Sequence, residues 1–516
     1  MFKILSAVAA LIAAFTATLA EARWLRAETD SFIIYSEGNE KSLREFAETL
    51  QRFDSALRFL VGIGVEGEEN RLPIYLLASA QDVSRLATGS RQGSIAGFYV
   101  AGSDGSFALA NRQRDTGYAG TSAAQQILFH EYSHHFMKRY VRAAFPAWFI
   151  EGFAEYYSTV EFNKEGKAEI GRPVYRRAYG LLQMPKVPAE KLLFERPSAM
   201  RNSGQMDVYY GRAWILTHML YHNPARAGQL GTYMKDINAG TDPRQAAIDA
   251  FGDLAQLDRD LDRYIRAPLG YRTLRDATPV PTNITIAALP AVEDALMPLR
   301  LERMSARGNA ERIAKVRDDL RRLAALHGDN AEVQYELAAA EWAMDRDTRD
   351  PAAVRAALDR ALAAKADHVR ANVMLGRLLL RDLHDKGADD EAAWREARRP
   401  IQLANRTDPN DPIPLYAYFR SFQPEGRRPP DIAIKALERA FALAPENIEL
   451  RVANAFALAN QGDFDTALKL AQTVAFDPHD TGQGERLLEQ LENMRKIREG
   501  GSTAEIEIEI EDDDND

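Results

Sequence analysis

Between residues 40 and 60 apolar side chains recur every three or four positions (Leu43, Phe46, Leu50, Phe53, Leu57, Leu60), the spacing of a single buried helix face. Shorter runs have a different texture. Residues 31–35 (Ser-Phe-Ile-Ile-Tyr) and 72–77 (Leu-Pro-Ile-Tyr-Leu-Leu) read as strands, the second with its proline near the start, where a missing N–H is tolerated. Residues 95–100 and 106–110 flank Gly102-Ser-Asp-Gly105, which predicts a hairpin. Helical patterns follow over 121–140, 147–160, 209–221, 225–237 and 243–265. Residues 23–268 are thus expected to form an α+β, mainly α, domain.

The texture then changes. Residues 269–303, with Ala277-Thr-Pro-Val-Pro-Thr282, are expected to form a linker. From 304 to 498 the chain becomes Ala/Leu/Arg helices that repeat. Ala357-Leu-Asp-Arg-Ala-Leu-Ala363 matches Ala436-Leu-Glu-Arg-Ala-Phe-Ala442, and Ala467-Leu-Lys-Leu-Ala471 is a weaker copy. Each copy ends in a break: Lys365-Ala-Asp-His368, Ala444-Pro-Glu-Asn447 and Asp477-Pro-His479. One helical hairpin cannot bury its own apolar face, so such units stack. This stretch resembles the tetratricopeptide family, with uneven spacing. The resemblance implies an α-helical repeat domain that holds a protein partner.

The chain ends carry separate signals. Residues 1–22 read as a signal peptide: Lys3, an apolar stretch from 4 to 19, then Ala20-Glu21-Ala22 as a small-x-small cleavage site. No later stretch has the apolar length of a membrane span, so the mature chain is expected to be periplasmic or secreted. Eight acids in the last twelve residues account for most of the net charge of −10. Residues 499–516 are therefore expected to be a disordered acidic tail. The rest is nearly neutral, which excludes the basic excess that nucleic-acid binding needs. The chain has no cysteine, so any metal must be held by histidines and carboxylates.

Three of nine histidines fall in His130-Glu131-Tyr132-Ser133-His134-His135. On a helix His130 and His134 lie about 40° apart and one turn apart, so both imidazoles can reach one cation. Glu131 is then beside the metal rather than on it. A second helix follows with Trp148, Glu151-Gly152 and Ala154-Glu155-Tyr156. A zinc hydrolase needs three protein ligands and one open position; Glu151 is the candidate third ligand. Glu155, one turn further on the same face, can accept a hydrogen bond from a ligand histidine.

HEYSH followed by W-x-x-EG-x-AEY resembles the gluzincin metallopeptidases, closest to their minimal exported "peptidase MA-like" branch. The resemblance covers about residues 24–268, with its specific motifs between Phe129 and Tyr157. It implies a zincin-like fold, one Zn²⁺ per chain on His130, His134 and Glu151, and Glu131 as general base in peptide hydrolysis by a zinc-activated water. The spacing from His134 to Glu151 is shorter than in the aminopeptidase branch, which leaves Glu155 as a second candidate for third ligand. Relatives carry an oxyanion-stabilising tyrosine in a helix like that of Asp207–His218, which fits Tyr210 best and leaves Tyr209 open. His218 and His222 read as structural histidines. Relatives also bind substrate along a sheet edge, for which 106–111 is the expected strand. The alternative is a protease-like scaffold without turnover that acts through its repeats.

Overall fold

The computed structural model describes residues 24–500 except 65–66, 93–94, 103–104, 114–121, 280, 282 and 307. The expected signal peptide lies outside the described residues, as does the acidic tail beyond Gly500.

The first half is built on β1 (Trp24–Glu28), β2 (Phe32–Glu37), α1 (Glu40–Val61), β3 (Leu72–Leu77), α2 (Ala80–Thr88), β4 (Gly97–Gly102) and β5 (Gly105–Asn111). Then come α3 (Ala123–Tyr140), α4 (Ala147–Ser158), β6 (Glu161–Phe162), β7 (Lys167–Ile170), α5 (Ala178–Gln183), α6 (Ala189–Phe194), α7 (Ser203–His222), α8 (Gln229–Asn238), α9 (Pro243–Phe251), α10 (Leu254–Tyr264), β8 (Arg272–Ala277) and β9 (Thr285–Ala288). The main sheet has the order β4-β5-β3-β2-β1-β9; β6, β7 and β8 form a second, small sheet. In the main sheet β2/β3 and β3/β5 run parallel and the other pairs antiparallel.

Alternation along the strands gives the sheet two apolar faces. Ile34, Ile74 and Ala108 face a core with Leu50 and Phe53 of α1 and Phe129 and Phe136 of α3. Tyr75, Leu77, Phe107 and Leu109 face the other way, onto Val83 and Leu86 of α2. This second face is completed by Met297 and Leu301 of α11 (Ala291–Ser305).

From there the chain is all helix: α12 (Ala310–Leu326), α13 (Ala331–Trp342), α14 (Pro351–Ala364), α15 (Val369–Asp385), α16 (Glu391–Thr407), α17 (Pro412–Arg420), α18 (Asp431–Leu443), α19 (Ile448–Gln461), α20 (Phe464–Ala475) and α21 (Gln483–Glu499). Each helix packs on the next. Apolar contacts fall into successive clusters along the sequence rather than one central core, as stacked repeats require. The molecule is mainly helical with a helical repeat region. Among the described residues, no helix is long and apolar enough to cross a membrane.

Three expectations need correction. Residues 269–303 are not a linker: β8 joins the small sheet, β9 pairs with β1, and α11 covers the main sheet. Prolines hid a stretch whose Thr, Ile and Ala residues complete two sheets. The expected edge strand 106–111 is internal, because β5 pairs on one side with β4 and on the other with β3; the edge is β4. The single helix expected over 243–265 is two, broken at Gly252, whose φ of +79° no helix interior accommodates.

Candidate metal centre

Ser122 caps α3, its hydroxyl accepting from the Gln125 N–H, and the helix then passes under the sheet. Phe129 stacks on Phe53 with ring centroids 3.9 Å apart, and the Tyr132 hydroxyl donates to buried Asp54 at 2.5 Å. These contacts fix the rotation of α3, which turns His130 and His134 toward α4. Helix α4 is buried nearly all round. Its Gly152 lets α7 come close: a Cβ there would lie 2.5 Å from the Ala213 carbonyl oxygen and 2.2 Å from Thr217 Oγ1.

The packing of α3 on α4 brings His130, His134 and Glu151 into one group, with ligand atoms all within 4.8 Å of one another. The two Nε2 atoms are 3.0 Å apart, and each lies 3.4 Å from Glu151 Oε2. Donors on a tetrahedral zinc with bonds near 2.05 Å stand about 3.3 Å from one another. The observed spacings fit that edge length. Glu151 is fully buried, and neither of its oxygens has a hydrogen-bond partner. A buried carboxylate without donors is costly unless a cation meets it. Burial opposes its ionisation, yet the His134 charge and the neighbouring imidazoles hold its pKa far below the usual carboxylate range. The donor set therefore fits a zinc ion.

Behind the donors stands Glu155, also fully buried. Its Oε1 lies 3.2 Å from His130 Nδ1, while Arg176 and Arg177 donate to the same carboxylate at 2.9 and 2.6 Å. The carboxylate is spent on these three groups, on the far side of the His130 ring from the donor cluster. Glu155 thus stands beside the His130 ring and outside the group of three that could hold an ion. Burial disfavours the His130 imidazolium, but Glu151 and Glu155 outweigh it and raise the pKa to about 9.

Glu131 is half-buried, and its charge acts on Tyr210 and Arg176. The Tyr210 ring centroid lies 6.1 Å from that of His130, with the Arg177 guanidinium 4.8 Å over its face. Burial, then the Glu151 charge, raises the Tyr210 hydroxyl pKa strongly, so it stays a neutral donor. Tyr209 is removed from consideration because its hydroxyl donates to the Leu192 and Glu195 carbonyls. His218 pairs with Tyr264 and the Gly171 and Gly270 carbonyls, and His222 with Tyr156. Both are structural, as is His135 against Tyr99.

Two features of the centre carry no local sequence signal. Arg176 and Arg177 hold Glu155 from a short turn before α5. His479, in the α20–α21 loop, approaches Glu151 from the repeat region, its Nε2 3.4 Å from Oε1.

The tetratricopeptide repeat family matches residues 430–491, the span of α18–α20 and the start of α21. This stretch carries a tetratricopeptide repeat. Two solved structures resemble the chain, both at 16% identity and TM-score 0.26, covering 39% of this chain and 96% of theirs. They are MamA from Desulfovibrio magneticus RS-1, residue 41 to the end, and the MamA RS-1 ArsTM double mutant. No curated protein matches.

Proposed function

We propose that this chain binds a polypeptide through its C-terminal repeats and hydrolyses peptide bonds at a zinc ion held by His130, His134 and Glu151. The repeat match supports the binding half and bears on nothing else. The hydrolytic half rests on one observation: a fully buried carboxylate without hydrogen-bond donors, at tetrahedral-edge distance from two imidazole nitrogens on an HExxH helix. Zinc there supplies a Lewis acid that polarises a carbonyl and makes water acidic. Glu131 takes the proton from the attacking water and returns it to the leaving amine. Tyr210, kept neutral, donates toward the developing oxyanion. Glu155, with Oε1 3.2 Å from Nδ1, stands beside the other nitrogen of the His130 ring and leaves Nε2 free to ligate. The segment 1–22 supports export, which would bring the centre to periplasmic or secreted substrates.

Taken alone, the repeat match favours a second reading: a protein-interaction scaffold whose metal centre turns nothing over. Metal analysis and hydrolysis of an unfolded polypeptide separate the two. About one zinc per chain is expected in the wild type and Glu131→Gln, and none in His134→Ala or Glu151→Ala. Glu131→Gln should cut hydrolysis by about 10²–10⁴-fold. Zinc without hydrolysis in the wild type would leave the scaffold; absence of zinc after loading would end the metal reading.

A further inference from the structure

The loop between α20 and α21 belongs to the tetratricopeptide repeat, yet it is fastened to the metal-centre half at three points. Phe476 packs against the core of that half. Asp477, nearly buried, pairs with Lys138 at 2.7 Å, one turn past His134 on the same helix. Arg196 donates to the Ala475 and Asp480 carbonyls at 2.5 and 3.2 Å and to Glu485 at 2.6 Å. Within the loop, Asp477 accepts the His479 N–H at 2.9 Å, and the Asp480 side chain accepts those of Gly482 and Gln483. These turns leave the His479 side chain exposed at the tip.

Its imidazole points at the centre. His479 Nε2 stands 3.4 Å from Glu151 Oε1, the oxygen beside the Oε2 that both histidines of the group face, just outside the group of three. Its ring centroid is 5.8 Å from that of His134, with the planes nearly perpendicular. Three protein donors leave a tetrahedral zinc one open corner. A neutral imidazole on a braced loop is a suitable occupant for it, and the His479 side chain, 59% exposed, has no packing role that would explain its position. We propose that His479, by rotation of its exposed side chain, becomes the fourth donor of the resting centre once the ion is bound, supplied by the repeat region, so that the centre is closed until the loop moves. The inference rests on the metal reading. It adds that the repeats govern access to the centre: a polypeptide bound across α18–α21 would shift the loop and vacate the corner for water.

Cobalt substituted for zinc in the full chain reports its donors through its visible absorption. The wild type is expected to show the intense bands of a four-coordinate centre. In His479→Ala a change of band position and intensity is expected, together with zinc affinity about 10–100-fold weaker and faster hydrolysis. The substituted side chain is exposed, so the fold should be retained, with thermal unfolding as the check. Identical cobalt spectra and zinc affinities in the two proteins would overturn the fourth donor while leaving the three-residue centre intact. Zinc loss in His134→Ala but not in the wild type secures that distinction; a wild type that binds neither metal overturns both.

Discussion

At Glu155 three partners converge on one carboxylate: His130 Nδ1, Arg176 and Arg177. The two arginines keep it anionic against complete burial, and the anion stands 3.2 Å from Nδ1 of the His130 ring. Glu155→Gln keeps the size and removes the charge. Zinc affinity should fall about 10–100-fold, read by competition with a chelator, while the zinc-to-protein ratio at saturation stays unchanged. Equal affinity would make Glu155 only a counterion for the arginines. The grouping of His130, His134 and Glu151 was legible because its geometry is local: i and i+4 on one helix, then a second helix after a short connection. The position of Glu155 beside them was legible for the same reason. The approach of Arg176, Arg177 and His479 was not, since it comes from packing between distant segments. Asp477-Pro-His479 read only as a break between helices.

The helices that carry the donors depend on a close approach of α4 to α7. Gly152 makes it possible. In Gly152→Ala the new methyl meets the Ala213 carbonyl, a backbone atom that cannot rotate away, so α4 must shift. Overpacking of this kind costs about 1–3 kcal/mol, and here it displaces the neighbouring Glu151. Lower thermal stability together with weaker zinc binding is expected; adding Thr217→Ala should not restore either, because the backbone clash remains. Full zinc affinity in Gly152→Ala would show that the helices have slack. Helices were the legible elements: α1 was expected over 40–60 and spans Glu40–Val61. Strand pairing was less so, because period-2 alternation identifies a strand but not its neighbours. The edge position expected for 106–111 came from the resemblance, and here β4 folds back outside it. The Pro/Thr-rich stretch that carries β9 read as a linker for a related reason: its strand is defined by pairing with β1, some 260 residues away, and not by its own composition.

The two halves meet through apolar contacts and through charge pairs, among them that of Arg139. At the end of α3, one turn beyond the donors, its guanidinium donates to the Leu443 carbonyl at 2.9 Å and to Glu446 at 2.8 Å, and also holds Glu68. Around it Arg451 donates to the Lys138 carbonyl and Asn447 to that of Gly102 on the edge strand. Glu446 is 2% exposed, so it depends on Arg139 for its counter-charge. Removing one partner of a buried ion pair costs about 3–5 kcal/mol, because the other is left uncompensated. Arg139→Met retains the apolar length of the side chain and removes the charge. Calorimetry should show the wild type unfolding with the repeat region coupled to the sheet-bearing half, and Arg139→Met with a lower first transition as the seam opens. Double substitution with Glu446→Gln should recover part of the loss, since the stranded charge is then gone. An unchanged first transition would mean that apolar contacts such as α11 on the sheet hold the halves together by themselves. The seam matters beyond stability: Arg139 lies in the last turn of the helix that carries His130 and His134, so opening the seam frees the end of that helix.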